Sequence, residues 1–245
     1  VTATVQLVGL PAALDDAAST PVNTPITIPV LANDVPLTGF DLSTLTVADG
    51  TNGLQPPSSG TVVGSPDGTI NYTPNPNFSG LDTFSYEICD PSASDPCEVA
   101  EVVVTVLPEA NDDSAETLAG TPVTLPLLDN DAGSLEPSTV SIASSPSSGT
   151  LFINPDGSVI YTPLPGFSGE DSFAYTVCDT AGNCTSAVAT ITVLPQTVDD
   201  NVPTPLDTPV VIPVLDNDNG DLDPSTVSIV TPPTNGTVTV DLVTG

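Results

Sequence analysis

The sequence predicts an all-β protein built of tandem two-sheet sandwiches, and three observations carry that reading. One block of sequence recurs along the chain, the block consists of short runs alternating apolar and polar residues, and the runs are punctuated by Pro, Gly and Asp-Gly steps. Helical periodicity is nearly absent.

The recurrence sets the domain organisation. LDDAASTPVNTPITIPVLAND from Leu14 returns as NDDSAETLAGTPVTLPLLDND from Asn111 and as VDDNVPTPLDTPVVIPVLDND from Val198. SSGTVVGSPDGTINYTPNPNFSGLDTFSYEICD from Ser58 returns as SSGTLFINPDGSVIYTPLPGFSGEDSFAYTVCD from Ser147. Each unit closes on an alternating run, VAEVVVTVLP from Val99 and AVATITVLP from Ala187, and residues 1–9 read as the same closing run. The expected boundaries are a closing strand and linker at 1–12, complete repeats at 13–109 and 110–196, and the first half of a further repeat at 197–245.

Within the second repeat the pattern predicts strands near 113–117, 121–128, 138–143, 149–154, 157–162, 171–178 and 186–194. Pro155-Asp156-Gly157 and Pro66-Asp67-Gly68 read as hairpin turns in which glycine supplies a positive φ. Seven short strands in about 90 residues point to an Ig-like Greek-key sandwich. Phe84 and Tyr86, like Phe173 and Tyr175, stand two apart and share a face, so they are assigned to the core, with Tyr72 and Tyr161 beside them.

The chain has no Lys, Arg or His against 31 Asp plus Glu, so no carboxylate can pair with a cationic side chain. Neutralising nucleic-acid phosphates or an anionic membrane surface takes Lys and Arg, and neither partner is expected. Histidine and lysine chemistry is excluded as well. With 38% hydrophobic residues the composition still supports a packed core. No apolar run approaches the roughly 20 residues needed to span a bilayer, so no membrane insertion is expected.

Cys89 and Cys97, like Cys178 and Cys184, flank the loop between the last two strands of their repeats. One pair at equivalent positions in each repeat predicts two local disulfides. The rival reading, zinc, lacks ligands, since each repeat offers two cysteines and no histidine.

Three acidic motifs recur. Asp15 and Asp16, Asp112 and Asp113, and Asp199 and Asp200 open the repeats. Asn33 and Asp34, then Asp129, Asn130 and Asp131, then Asp216, Asn217 and Asp218 follow the second strand, and Asp90 and Asp179 follow a cysteine. Ig-like topology gathers all three motifs at the pole facing the preceding repeat, and sends Asp82 and Asp171 to the opposite pole. Carboxylates and an amide carbonyl collected without a cationic side chain form the oxygen-rich set that Ca²⁺ selects. The same residues also suit turns and a soluble surface.

The series DD near the repeat start, V-L-x-N-D after the second strand, then G-T, Y-T-P, F-S-G-x-D-x-F-x-Y and C-D, resembles the cadherin-like and Ig-like tandem repeats of giant bacterial surface adhesins. The Bacteroidota adhesins of gliding and attachment are of this type. The resemblance implies an extended rod at the cell surface, extracellular, that carries an adhesive region outward and is stiffened by calcium between repeats. Glu109 to Asp113 look like the cadherin inter-repeat calcium motif, with Asn111, Asp112 and Asp113 at the matching positions, whereas Leu14 and Val198 stand where Asn111 does. Asp113-Ser114-Ala115 and Asp179-Thr180-Ala181 look like that phylum's O-glycosylation sequon, which makes Ser114 and Thr180 candidate acceptors.

Three functions follow for weighing. A structural stalk, whose partners are neighbouring repeats, predicts the recurrence itself. A carbohydrate- or cell-binding module needs exposed aromatic loops, and Phe40 in the 36–57 insertion is the one residue that reads so. An enzyme working through a carboxylate pair is not expected, because the pairs recur at turn positions in every unit.

Overall fold

A computed structural model describes residues 12–35, 39–91, 97–241 and 243. The expected closing strand at 1–9 lies outside them. The chain divides into two compact units: Val1–Ala110 with Asp131–Glu136 and Val177–Thr185, and Asn111–Asn130 with Pro137–Thr176 and Ser186–Gly245. The loops 131–136 and 177–185, which belong to the second repeat by sequence, therefore cluster with the first unit. Among the described residues no helix is long and apolar enough to cross a membrane.

The first unit holds β1 (Asp16–Pro21), β2 (Ile26–Ile28), β3 (Thr46–Val47), β4 (Gly60–Gly64), β5 (Ile70–Pro74), β6 (Gly80–Cys89) and β7 (Cys97–Leu107). They form two sheets, ordered β1-β7-β6-β3 and β2-β5-β4. β1 runs parallel to β7 from Asp16 opposite Val102 to Pro21 opposite Leu107. β6 and β7 are antiparallel, from Gly80 opposite Val106 to Cys89 opposite Cys97.

The core lies between the sheets because every long strand alternates. Ile70, Tyr72, Phe84, Tyr86, Ile88, Val102, Val104 and Val106 are fully buried. The rings of Tyr72 and Phe84 stack with centroids 6.2 Å apart. Phe40, expected to be exposed, is half-buried against this core, so the insertion tucks its aromatic ring inward. Gly60 faces the Tyr72 ring so closely that a Cβ would lie 2.4 Å from it, which reserves this position for glycine.

The second repeat rebuilds the pattern with β8 (Asp113–Leu118), β9 (Val123–Leu125), β10 (Ser141–Ser144), β11 (Gly149–Ile153), β12 (Val159–Pro163), β13 (Gly169–Cys178) and β14 (Cys184–Leu194). The sheets are ordered β10-β13-β14-β8 and β11-β12-β9. All seven expected strands are present, and the two cut back most, β9 and β10, are shortened for one reason. Pro122 and Pro126 bracket β9, and Pro137 starts a 3₁₀ turn where the third strand was expected to begin; proline has no N–H to give a ladder.

Residues 197–241 hold one 3₁₀ turn, Pro224–Thr226, and no strand among the described residues. Val211 and Val230 are 88% and 92% exposed there.

Candidate metal centre

In the first unit Asp15 and Asp16 stand where β1 opens, and Asp34 ends the loop after β2. The chain brings them together through backbone and phenol contacts. Leu14 N donates to Asp34 Oδ1 at 2.7 Å, Asn33 Nδ2 to the Asp15 carbonyl at 3.1 Å, and Glu101 N to Asp15 Oδ1 at 2.9 Å. The Tyr86 hydroxyl, rising from the core on β6, lies 3.0 Å from both the Val30 carbonyl and Asp34 Oδ2. Asp16 Oδ2 is buried and accepts no hydrogen bond.

Burial, and after it the negative charge of Asp34, push the Asp16 carboxyl up to about 6. Burial also raises Asp34. Tyr86 is raised by burial and by the charges of Asp16 and Asp34, so its phenol stays protonated and donates. A half-buried carboxylate with an orphaned oxygen, pressed by like charges and with no cationic side chain in the sequence, is the environment that a hard cation relieves.

The folded pKa of Asp16 lies above its ordinary value, so ionisation works against folding. Without divalent cation, stability should rise as pH falls from above 6 toward 4, by about 1 kcal/mol once solvent screening is allowed for. Thermal melts of the wild type and Asp16→Asn between pH 7.5 and 4.5 check this. The variant should show no comparable gain; a wild-type curve flat across that window would overturn it.

The other two repeats reproduce parts of the pattern. In the second unit Asn111 Nδ2 donates to the Asn130 carbonyl at 2.9 Å, Asn130 Nδ2 to the Asp112 carbonyl at 3.0 Å, and Val188 N to Asp112 Oδ1 at 2.9 Å. The Tyr175 hydroxyl lies 3.2 Å from the Leu127 carbonyl and 3.3 Å from that of Asn111. Asp113 opens β8, Asp129 is exposed, and Asp131 falls in the first unit. Further on, Val198 N donates to Asp218 Oδ1 at 2.6 Å and Asn217 Nδ2 to the Asp199 carbonyl at 3.4 Å, while Asp200 and Asp216 are exposed. Leu14 and Val198 thus give the aspartate after the second strand a backbone N–H, a bond indifferent to their own side chains.

Asp82 and Asp171 require a correction as candidate ligands. Asp82 Oδ1 accepts from Ser58 N, Ser58 Oγ and Thr83 N, and Oδ2 from Ser59 N and the Tyr72 hydroxyl, at 2.8–3.0 Å. Asp171 repeats this with Ser147, Ser148, Ser172 and Tyr161. Both are buried and their lone pairs are taken, so they fasten β6 and β13 to the turns before β4 and β11. Burial pushes Asp171 up, but the N–H donors of Ser147 and Ser148 and the Tyr161 hydroxyl outweigh it and hold the carboxyl below its ordinary value.

Asp179 is likewise occupied: it accepts from Ala181 N, Asn183 N and Asn183 Nδ2, each at 2.9 Å, and closes the turn inside the disulfide loop. Asp90 is fully buried at the equivalent step. The disulfides Cys89–Cys97 and Cys178–Cys184 are both formed, a bond that persists in oxidising compartments. Ser114 is exposed on the edge strand β8, and Thr180 is exposed beside the second disulfide.

Among the described residues the one group of three acidic or thiol ligand atoms within 4.8 Å of one another is Glu87, Cys89 and Cys97, whose sulfurs are spent in the disulfide. Asp15, Asp16 and Asp34 do not form such a group; to hold a hard cation their carboxylates would have to draw closer, with the amide oxygen of Asn33 beside them. Sequence reasoning missed Tyr86 and Tyr175 here, because the spacing that marks them as core says nothing of where the hydroxyl ends.

No curated protein sequence matches the chain. Its structure is similar to an endo-fucoidan hydrolase of glycoside hydrolase family 107 (17% identity, 78% of this chain and 29% of that one, TM-score 0.29). It is also similar to protocadherin gamma B7 extracellular cadherin domains 1–4 (12%, 77% and 53%, TM-score 0.27). A third is Drosophila N-cadherin EC1-4 (12%, 76% and 51%, TM-score 0.28). The chain spans under a third of the hydrolase and about half of each cadherin structure. The model of the family described as bacterial Ig domain matches twice in tandem, at residues 9–106 and 105–192, and the chain belongs to that family.

Proposed function

We propose that this chain is a stalk segment of a large secreted bacterial surface adhesin, a non-catalytic spacer that holds an adhesive region away from the cell. The observation that carries the reading is repetition with the same parts. Tandem bacterial Ig domains reuse one sandwich, one disulfide position and one acidic pole, and a spacer gains length by adding such units. The inward packing of Phe40 leaves the binding-module reading without its aromatic platform.

In this proposal Ca²⁺ is the cofactor, held at the strand-opening pole by Asp15, Asp16 and Asp34 with Asn33, and by their counterparts in later repeats. Bound calcium supplies the missing positive charge and stiffens the array. Melting temperature and small-angle scattering length in EDTA and in millimolar calcium test this. Calcium should raise the melting temperature by several degrees and narrow the distribution of lengths; identical values in the two buffers would sink the calcium role.

A further inference from the structure

The loop that follows the second strand does something besides carrying aspartate. In the first unit Ser134 N donates to Ser79 Oγ at 3.0 Å and Ser79 N to Ser134 Oγ at 3.4 Å. Glu109 and Ala132 exchange backbone hydrogen bonds at 2.9 and 2.8 Å, and Gly133 N donates to Asn77 Oδ1 at 2.8 Å. Asn77 is itself held by its own N–H, which donates to Asn23 Oδ1 at 2.7 Å. Gly133 sits at φ +127°, where a Cβ would lie 2.8 Å from Ser79 Oγ and 3.0 Å from Pro108 Cβ.

The second unit repeats this arrangement one repeat further on. Asp221 N donates to Ser168 Oγ at 2.8 Å, and Gln196 and Asn219 exchange backbone bonds at 2.7 and 2.8 Å. Gly220 sits at φ +125° with a Cβ position 3.0 Å from Pro195. The amide, however, comes from the other side: Asn219 Nδ2 donates to the Ala119 carbonyl at 3.0 Å.

The residues around each amide differ in step. Where the loop carries Ala132, the repeat before it carries Asn23 and Asn77. Where the loop carries Asn219, the aligned residues are Gly120 and Gly166. A Cβ on Gly120 would lie 2.4 Å from Asn219 Nδ2, so the glycine is what admits the asparagine. Each contact holds one bridging amide, and the side that does not supply it is cut back to make room.

We propose that the loop after the second strand is a docking clip that reads the preceding repeat, through a shared serine contact and an asparagine amide matched by the residue facing it. Its partner is therefore another repeat of this type, bearing a serine in the F-S-G turn and the complementary pair at these positions, Asn23 with Asn77 or Gly120 with Gly166. The consequence is that neighbouring repeats are coupled energetically, and only matched neighbours couple fully. The first repeat has Pro36 where the later loops have Gly133 and Gly220, and proline carries no N–H to donate. This inference rests on the tandem-repeat reading and is independent of calcium.

A double-mutant cycle on the full chain in EDTA tests the matching. Ala132→Asn, which sets two amides against each other, should lower the melting temperature by roughly 2–4 °C. Asn23→Gly together with Asn77→Gly in the same chain, which copies Gly120 and Gly166, should recover most of that loss, because residues 23 and 77 already lie at φ +59° and glycine opens the space. Strictly additive shifts would overturn the matching. Hydrogen exchange gives a readout that does not depend on either variant folding: the Ser134 amide should be protected equally in EDTA and in calcium, and exposed by Ser79→Ala. Protection that appears only with calcium would overturn the clip while leaving the metal reading standing.

Discussion

Asp82→Ala is expected to be the most damaging single change in the first repeat, costing about 4 kcal/mol. The carboxylate accepts from three backbone N–H groups, one serine hydroxyl and Tyr72, and it is 2% exposed. Truncation strands those donors where water reaches poorly, and buried unsatisfied groups cost about 1–3 kcal/mol each, less than additively. Tyr72→Phe removes one donor and leaves the charge served by the others, so it should cost about 1 kcal/mol. Urea midpoints of the two variants give the comparison, and Asp171→Ala should copy Asp82→Ala in the second repeat. An Asp82→Ala midpoint unchanged from wild type would return this carboxylate to the list of free oxygen ligands.

The second large effect is expected from the disulfides. Cys89–Cys97 closes a separation of 8 residues and Cys178–Cys184 one of 6. Loop-closure entropy for rings this small gives about 2 kcal/mol for each bond. Cys89→Ser with Cys97→Ser should therefore lower the melting temperature by several degrees, and a reductant should do the same to the wild type and nothing further to a chain lacking both bonds. If the reductant moves the fully substituted chain as far as the wild type, the effect is not the disulfides'. These bonds tie hairpin ends that the β6–β7 and β13–β14 ladders already align, so the strand pairing itself should survive in far-ultraviolet circular dichroism.

Much of this molecule was legible before its coordinates. The fold followed from Ile70, Tyr72, Phe84, Tyr86 and their counterparts falling at alternate positions, since a period of two leaves one face to bury. The disulfides followed from one cysteine pair standing at the same place in each repeat. Proline limited the strand lengths: Pro25 and Pro29 leave β2 three residues, and the alternation pattern alone does not show that. The acidic residues were less legible, because Asp15, Asp82 and Asp179 look alike in sequence. What separates them is how many donors the surrounding backbone aims at each, and that depends on loops distant in the chain. Ser58 reaches Asp82 across 24 residues, and Glu101 reaches Asp15 across 86.

The pairing of the first strand with the last bears on a property that equilibrium stability does not measure. β1 enters each sandwich and β7 leaves it, and the two lie side by side in parallel over six residues; β8 and β14 do the same. A pull on the two ends of a repeat drags such neighbours lengthwise past each other, so the whole ladder bears the load together and no bond can be peeled ahead of the next. Each repeat is thus fastened like a lap joint, strongest against a pull along its own two ends.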